Sequence, residues 1–534
     1  MLTIRDKIGF GHYGRVYKCT ISTDVGSTTE LAIKRLFVPK TSNFASSLRE
    51  MDITRKMNKH SDILGLNTVI FLRKTTVNWP DGDDNIDSDL RQDEIAFLYP
   101  LAQCDLMQFF ERLEESKEIF IELQATKMIT SMLLGLEYIH KNNYIHRDIK
   151  PLNILYMGKD EVKICDFGVS CKYHKYEERT PEIGTPYFRA PEMLLGDKNY
   201  DMSVDMWALG CTYYYILSEK YIPRLSNDVE IKDYSYNMVR QLQDIIDGLP
   251  YTVTTDLKLS RPEPVKSILS SLDFVKKTTE EQFLESMTVK LSDAALTMDF
   301  LLSMLSFSPD TRATASKCLE HKYLARYQST VSISRKLVEP FSETPMVYLK
   351  SKTMRDAIKS TVFSLLIESR NESWYKDKSV FTALCMYDSV INILQDKLRS
   401  LNPSIWKLYF KACFYITVKY HNSEEFLDLS YEKFPMYDPE VQSVSSARDF
   451  EKIILEATEY WVYDMSVYDA LTNEEIPTLN ATFSLLLFVL DGNHNRLTAP
   501  EAFEVWKQDR VANTSSAKQH AKYKELTALE DKSS

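Results

Sequence analysis

The sequence predicts an α+β architecture in three parts: a small β-rich lobe, a larger helical lobe and an all-α domain towards the carboxy terminus. Three observations carry this. Residues Arg15 to Ile21 alternate and are β-favouring, and Leu31 to Lys34 is a second strand-like run. Glu122 to Lys141 reads as a helix from apolar residues at Met128, Met132, Leu136 and Ile139. Glycine is absent from Ala325 through Asp491, as suits stacked helices. Three helical stripes run through that stretch: Val380, Ala383, Leu384, Tyr387, Val390, Ile391 and Leu394; then Trp406, Tyr409, Cys413, Ile416 and Tyr420; then Phe450, Ile453, Ile454, Ala457 and Trp461.

Bulk properties bound the function. A chain of 534 residues is too long for one hydrophobic core, and 44% apolar with 26% charged residues is a globular composition. The net charge of −11 argues against a broad nucleic-acid surface. Eight cysteines are scattered with no C-x-x-C pair, so neither a disulfide framework nor a zinc site is expected and a reducing compartment fits. The start Met1-Leu-Thr-Ile-Arg-Asp does not read as a signal peptide, and the longest apolar run, Leu485 to Leu490, is far short of a membrane span. The expectation is a soluble intracellular protein of cytoplasm or nucleus, with neither nucleic acid nor membrane as partner.

The chemistry is concentrated in His146-Arg147-Asp148-Ile149-Lys150-Pro151-Leu152-Asn153. Asp148 can take a proton from a hydroxyl, Lys150 can neutralise a transferring phosphoryl group, and Asn153 can offer an oxygen to Mg²⁺. Upstream, Ile8-Gly9-Phe10-Gly11-His12-Tyr13-Gly14-Arg15-Val16 contains G-x-G-x-x-G-x-V. Dinucleotide folds share that glycine spacing, but there a helix must follow, whereas Arg15 to Ile21 reads as a strand. The glycines therefore join two strands, and a backbone without Cβ atoms can lie close over nucleotide phosphates. Leu31-Ala32-Ile33-Lys34 ends on a lysine, and Phe44 to Met57 has helical spacing with Glu50 available to pair with it. Ile95 to Pro100 reads as a buried strand, and Val162 to Cys165 as a short strand delivering Asp166-Phe167-Gly168.

These parts, in this order, resemble a serine/threonine protein kinase, and the lysine two residues after Asp148 is the serine/threonine form. The resemblance implies a bilobal kinase fold over 1–324, with the N-lobe over about 1–98 and the C-lobe over about 99–324. It implies ATP and Mg²⁺ as cofactors and protein substrates. It places Asp148, Lys150, Lys34, Glu50 and Thr185 in catalysis and Asn153 and Asp166 on the metal. ATP would be held by the glycine loop from Ile8 to Val16, by Ala32 and Lys34, and by a hinge at Phe97, Leu98 and Pro100, with Phe97 at the back of the pocket. Ala190-Pro191-Glu192, Asp205 and Arg312 fall where kinases keep scaffold residues.

A narrower resemblance is to the cyclin-dependent kinases. Ser46 to Glu50 is similar to the end of their activator-binding helix, and Pro186 to Gly196 is close to their form of the activation-segment end. The resemblance puts an activating phosphorylation on Thr180, with Arg147 and Arg49 at two of three arginine positions. Cys171 stands at the third with Lys172 beside it, which implies a weaker phosphate pocket. Tyr13 matches an inhibitory tyrosine, with His12 where an inhibitory threonine would stand. Gly184 suits a preference for proline after the target residue.

Past 324, a linker over 325–364 is expected, then a helical domain over 365–490 similar to a cyclin box, then a partial second repeat and polar tail over 491–534. Thr417-Val-Lys419-Tyr420 and Phe450-Glu451 stand where cyclins carry the lysine and glutamate that grip the kinase helix. Lys419 and Glu451 would do the same here, making the chain a kinase that carries its own cyclin. The alternatives are a generic helical bundle with Lys and Glu on its surface, or a kinase that needs a separate cyclin while its carboxy-terminal helices dock substrates or scaffolds.

Overall fold

The computed structural model describes residues 2–11, 14–22, 28–36, 44–58, 60–72, 94–175, 177–222, 238–253, 268–327, 358, 361–362, 365, 377–398, 403–421, 504–505 and 507. The chain divides into two compact units, one of 1–38, 49–173 and 177–341, the other of 39–48, 174–176 and 342–534.

In the first unit, strands β1 (Leu2–Gly11), β2 (Gly14–Ser22), β3 (Thr28–Leu36), β4 (Thr68–Leu72) and β5 (Glu94–Pro100) form an antiparallel sheet in the order β1-β2-β3-β5-β4. The glycines do join two strands, with Gly11 opposite Gly14. Side chains alternate between the faces of a sheet. Tyr17, Cys19, Leu31, Ile33, Ala96 and Leu98 accordingly build one small core. Ala32 and Lys34 must then point to the opposite face, where helix α1 (Phe44–Met57) supplies Glu50. Glu50 is buried at 2% exposure.

The rest of the unit is mainly helical around one larger core. Short strand β6 (Cys104–Asp105) leads into helix α2 (Leu106–Ser116), where the Asp105 carboxylate accepts from the Gln108 amide and caps the first turn. Helix α3 (Glu122–Lys141) follows with the expected bounds, and Met128, Met132, Leu136 and Ile139 are all fully buried. Strand β7 (Tyr144–Ile145) precedes the 146–153 stretch, and hairpin β8 (Ile154–Gly158) and β9 (Glu161–Ile164) follows it. After β10 (Cys171–Lys172) come short helix α4 (Pro191–Leu194), α5 (Ser203–Ser218) and α6 (Met238–Gly248). Helix α5 is apolar on nearly every face because it runs through the middle of the core. Its tyrosines stay satisfied there: Tyr213 hydroxyl meets that of Tyr323 at 2.8 Å, and Tyr214 hydroxyl meets Ser286 at 2.7 Å.

The lobes are stitched together next to the chemistry. The Leu64 amide donates to the Ile164 carbonyl at 2.8 Å, and the Ile164 amide to the Asp62 carbonyl at 3.0 Å. Gly135 on α3 permits this close approach, since a Cβ there would lie 3.1 Å from both the Asp62 carbonyl oxygen and Ile164 Cδ1. The strand that delivers Asp166 is thus anchored to both halves.

In the second unit, helices Asp377–Leu398 and Pro403–His421 pack on each other. Val380, Ala383, Leu384, Tyr387, Val390 and Ile391 of the first stripe are buried, as are Tyr409, Cys413 and Ile416 of the second. Tyr387 meets Phe410 edge-on at 5.7 Å, and the Thr417 hydroxyl donates to the Ser379 carbonyl at 2.9 Å. The same unit contains His174, whose Nε2 lies 3.2 Å from Lys378 Nζ, both residues being buried. The third stripe, from Phe450 to Trp461, lies outside the described residues. Among the described residues no helix is long and apolar enough to cross a membrane.

Candidate active site

Two groups of side chains converge below the sheet. In the first, Lys34 Nζ donates to both Glu50 carboxylate oxygens, at 2.6 and 2.7 Å, and lies 3.6 Å from Asp166 Oδ1. Burial alone would push the Lys34 pKa down, but the two carboxylates outweigh it and hold the ammonium above its ordinary value. Burial likewise pushes Asp166 up, and Lys34, with help from His146 and Lys150, brings it below the ordinary aspartate value. Asp166 is therefore a carboxylate, held in the left-handed region at φ 67°. Phe167, next in the chain, is 1% exposed in the same core as Ile53 and Met57 of α1.

In the second group, Asp148 Oδ1 accepts from the Thr185 hydroxyl at 2.8 Å and from the Thr185 amide at 3.1 Å. Its Oδ2 is shared between Lys150 Nζ at 2.7 Å and Asn153 Nδ2 at 2.8 Å. Lys150 Nζ also donates to the Thr185 hydroxyl at 2.7 Å. A carboxylate with this many donors has one orientation, and its charge is stabilised by Lys150. Because the Asn153 Nδ2 faces Asp148, donating to its carbonyl as well at 2.8 Å, the Asn153 amide oxygen is turned the other way. Asn153 and Asp166 are oxygen donors of the kind Mg²⁺ takes alongside substrate phosphates. Among the described residues no group of three or more His, Cys, Asp and Glu is placed to hold a metal by itself.

The loop carrying Asp148 is held from beneath. Buried Asp205 accepts the His146 and Arg147 amides, each at 2.8 Å, and meets His140 Nε2 at 2.9 Å. Those bonds keep Arg147 at φ 67°. On the other side of Asp148, Gly184 sits at φ 79°, and a Cβ there would overlap the Arg147 carbonyl oxygen. Arg189 fixes this turn by donating to the Ile183 carbonyl at 3.1 Å, the Gly184 carbonyl at 3.0 Å and the Glu182 carbonyl. A pocket beside Asp148 is lined by Ile149, Gly184, Thr185, Phe188 and Arg189 among others.

Of the remaining site candidates, Ile8, Gly9, Phe10 and Gly11 lie on β1, Gly14, Arg15 and Val16 on β2, and Ala32 on β3, with Val16 in register with Lys34. His12, Tyr13 and Glu451 lie outside the described residues, as do the side chains of Phe10, Arg49 and Lys419. Thr180 is described and half-buried.

Strand β5 runs through Phe97, Leu98 and Pro100, with Phe97 between Lys34 and Val69 and the Leu98 carbonyl accepting from the Asn67 amide at 2.8 Å. The strand expected over Ile95 to Pro100 thus runs on to Pro100, and the connection after it begins at Leu101. The side chain that reaches the Lys34 and Glu50 pair is that of Tyr99, whose hydroxyl donates to Glu50 Oε1 at 3.2 Å. Sequence reasoning missed it. The signal was there, since Tyr99 stands two residues after Phe97 and shares its face.

A family model described as a protein kinase domain matches residues 2–324. The chain is similar to mitogen-activated protein kinase 13 of Arabidopsis thaliana, 28% identical over 354 residues that cover 66% of this chain and 85% of the relative. It is similar to mitogen-activated protein kinase SLT2/MPK1 of Saccharomyces cerevisiae, 30% identical over 327 residues and 60% of each chain. Cyclin-dependent kinase-like 4 of Homo sapiens is 29% identical over 362 residues, 65% of this chain and 83% of the relative. With its sheet, helical lobe and two converging side-chain groups in place, the chain belongs to the protein kinase family and is a serine/threonine kinase.

Proposed function

We propose that the chain is a kinase of the cyclin-dependent type that moves the γ-phosphate of ATP to serine or threonine in protein substrates, with proline favoured at the next position. One observation carries the chemistry: Asp148, Lys150 and Thr185 form a closed triangle of contacts, none longer than 2.8 Å between side chains. Asp148 would orient the substrate hydroxyl and accept its proton, while Lys150 balances charge on the moving phosphoryl group. Lys34, fixed by Glu50, would hold the other phosphates. Bound through Asn153 and Asp166, Mg²⁺ would supply charge neutralisation between the phosphates.

The proline preference is supported by the Gly184 turn. Its carbonyl is engaged by Arg189, which competes with a substrate N–H for that oxygen, and proline is the residue without one. An assay of Asp148→Asn tests the catalytic reading: phosphotransfer falls by about 10³-fold or more while ATP binding persists. Full activity in that variant refutes it.

For regulation, the reading is activation by the chain's own carboxy-terminal region, with 1–324 as the kinase domain, 325–364 as linker and 365–490 as a cyclin-like domain. Linked partners meet at an effective concentration on the order of millimolar, so weak contacts suffice. A Lys419→Ala, Glu451→Ala double variant of the full chain should lose about tenfold or more in activity without added cyclin. An unchanged rate favours a kinase that needs a separate cyclin, with those helices serving as a docking module.

A further inference from the structure

Arg147 precedes the proposed base Asp148, and Thr180 lies on the segment that returns to it through Thr185. Between them stands Tyr200, 3% exposed. Arg147 Nη1 donates to the Tyr200 hydroxyl at 3.2 Å, and that hydroxyl donates to the Thr180 carbonyl at 2.8 Å. Arg147 Nε is directed to the Val169 carbonyl at 2.6 Å. These bonds join Arg147 to Val169 and, through the Tyr200 hydroxyl, to Thr180.

A second residue reinforces it. Arg179, 6% exposed, stacks its guanidinium 4.8 Å from the Tyr173 ring centre and 6.0 Å from that of Tyr200. Its Nη1 donates to the Tyr200 carbonyl at 3.1 Å, and its amide to the Lys198 carbonyl at 2.7 Å. Residues 179–180 are thus tied to residues 198–200 by three hydrogen bonds, while Thr185 ties the far end of the segment to Asp148. A phosphate on Thr180 would need several cations to gather round it. The resemblance puts Cys171, with Lys172 beside it, at one of the positions expected to supply them, and the guanidinium of Arg179 lies against aromatic rings.

We infer that Tyr200 is a positioning residue, its hydroxyl linking Arg147 to Thr180 and ordering the segment in the unphosphorylated chain, so that phosphotransfer does not depend on phosphate at Thr180. The inference rests on the phosphotransfer reading. Its test compares full-length chain before and after phosphatase treatment, with intact mass confirming removal of phosphate, alongside Thr180→Ala and Tyr200→Phe. Phosphatase treatment and Thr180→Ala should each change kcat by less than about threefold, whereas Tyr200→Phe lowers kcat by about tenfold or more and leaves KM for ATP within about twofold. A merely structural role would lower folded yield without that split. A tenfold loss on phosphatase treatment or in Thr180→Ala, or an unaltered Tyr200→Phe, overturns the inference. Should Tyr200→Phe fail to fold, amide exchange over residues 177–185 of the wild-type chain decides it: protection kept after phosphatase treatment supports the link, and protection lost overturns it. A wild-type chain that transfers no phosphate in either state removes the phosphotransfer reading itself.

Discussion

The Lys34 ammonium sits 2.6 Å from the Glu50 carboxylate, and the two side chains are only 10% and 3% exposed. Such a pair contributes little net stability when intact, because both charges were taken out of water to make it. Breaking it is costly, since one charge stays buried alone. Lys34→Met should therefore lower stability by about 3–5 kcal/mol and abolish phosphotransfer, whereas Glu50→Gln, which keeps an acceptor, should cost less on both counts. Thermal melts and an ATP-turnover assay on the same preparations check both.

Tyr99 adds a third partner to that pair. Removing its hydroxyl in Tyr99→Phe leaves Glu50 with two bonds to Lys34 and one oxygen less well satisfied. The expected loss is about 0.5–1.5 kcal/mol in stability, with a drop in kcat of up to about tenfold. An unchanged kcat and melting point would show that the hydroxyl does not help hold Glu50.

Gly184 is a position where the backbone admits no side chain without a clash. An alanine would pay about 1–2 kcal/mol for the left-handed conformation, and its Cβ would meet the Arg147 carbonyl oxygen. Since the displaced carbonyl belongs to the residue before Asp148, Gly184→Ala should lower kcat by about 10²-fold with the fold intact, as misplacement on the 1 Å scale does. Steady-state kinetics with circular dichroism as control separate that outcome from unfolding.

The pH dependence has a definite sign. Asp166 and Asp205 both have pKa values below the ordinary 3.8 in spite of burial, which pushes each the other way: Lys34 dominates the lowering for Asp166 and the His140 bond for Asp205. A carboxylate with a depressed folded pKa contributes stability that is present above its unfolded value and is lost as pH falls through the folded one. Acid unfolding should therefore set in below about pH 4, and Asp205→Asn should remove part of that pH dependence. Denaturant midpoints measured from neutral to acid pH give the slope directly.

How much of this was legible depends on how far along the chain the partners lie. Asp148, Lys150 and Asn153 are neighbours in sequence, so their chemistry could be read from residue types alone, and Lys34, Glu50 and Asp166 followed from order and spacing. Helix Glu122–Lys141 and the two carboxy-terminal stripes were visible because burial repeats with the helical period. Tyr99 was obscured by a strand that runs on to Pro100, so its register with Ala32, rather than its local sequence, sets what it touches. Tyr200 and Arg179 carried no local signal. Their partners, the Arg147 guanidinium, backbone carbonyls and aromatic rings, are brought close only by the folded chain.

Glu192 and Arg312 show the same physics away from the cleft, 1% and 0% exposed and 2.7 Å apart. Arg312 donates to both Glu192 oxygens, at 2.7 and 2.9 Å, and also to the Ser203 and Ser306 carbonyls at 2.9 and 3.0 Å, with its guanidinium 5.2 Å from the Trp207 ring centre. It thus ties the start of α4 to the start of α5. Lysine presents a single point of donation and cannot reproduce this fork. Arg312→Lys and Arg312→Ala should each destabilise the chain, the latter by about 3–5 kcal/mol, because Glu192 is then charged and buried without its partner. If uncompensated charge is the cause, the Glu192→Met, Arg312→Met double variant should be more stable than Arg312→Ala, even though it has lost both members of the pair. Urea unfolding of the three variants decides the point: a double variant weaker than the single would mean that the bonds to Ser203 and Ser306, and not the buried charge, carry the cost.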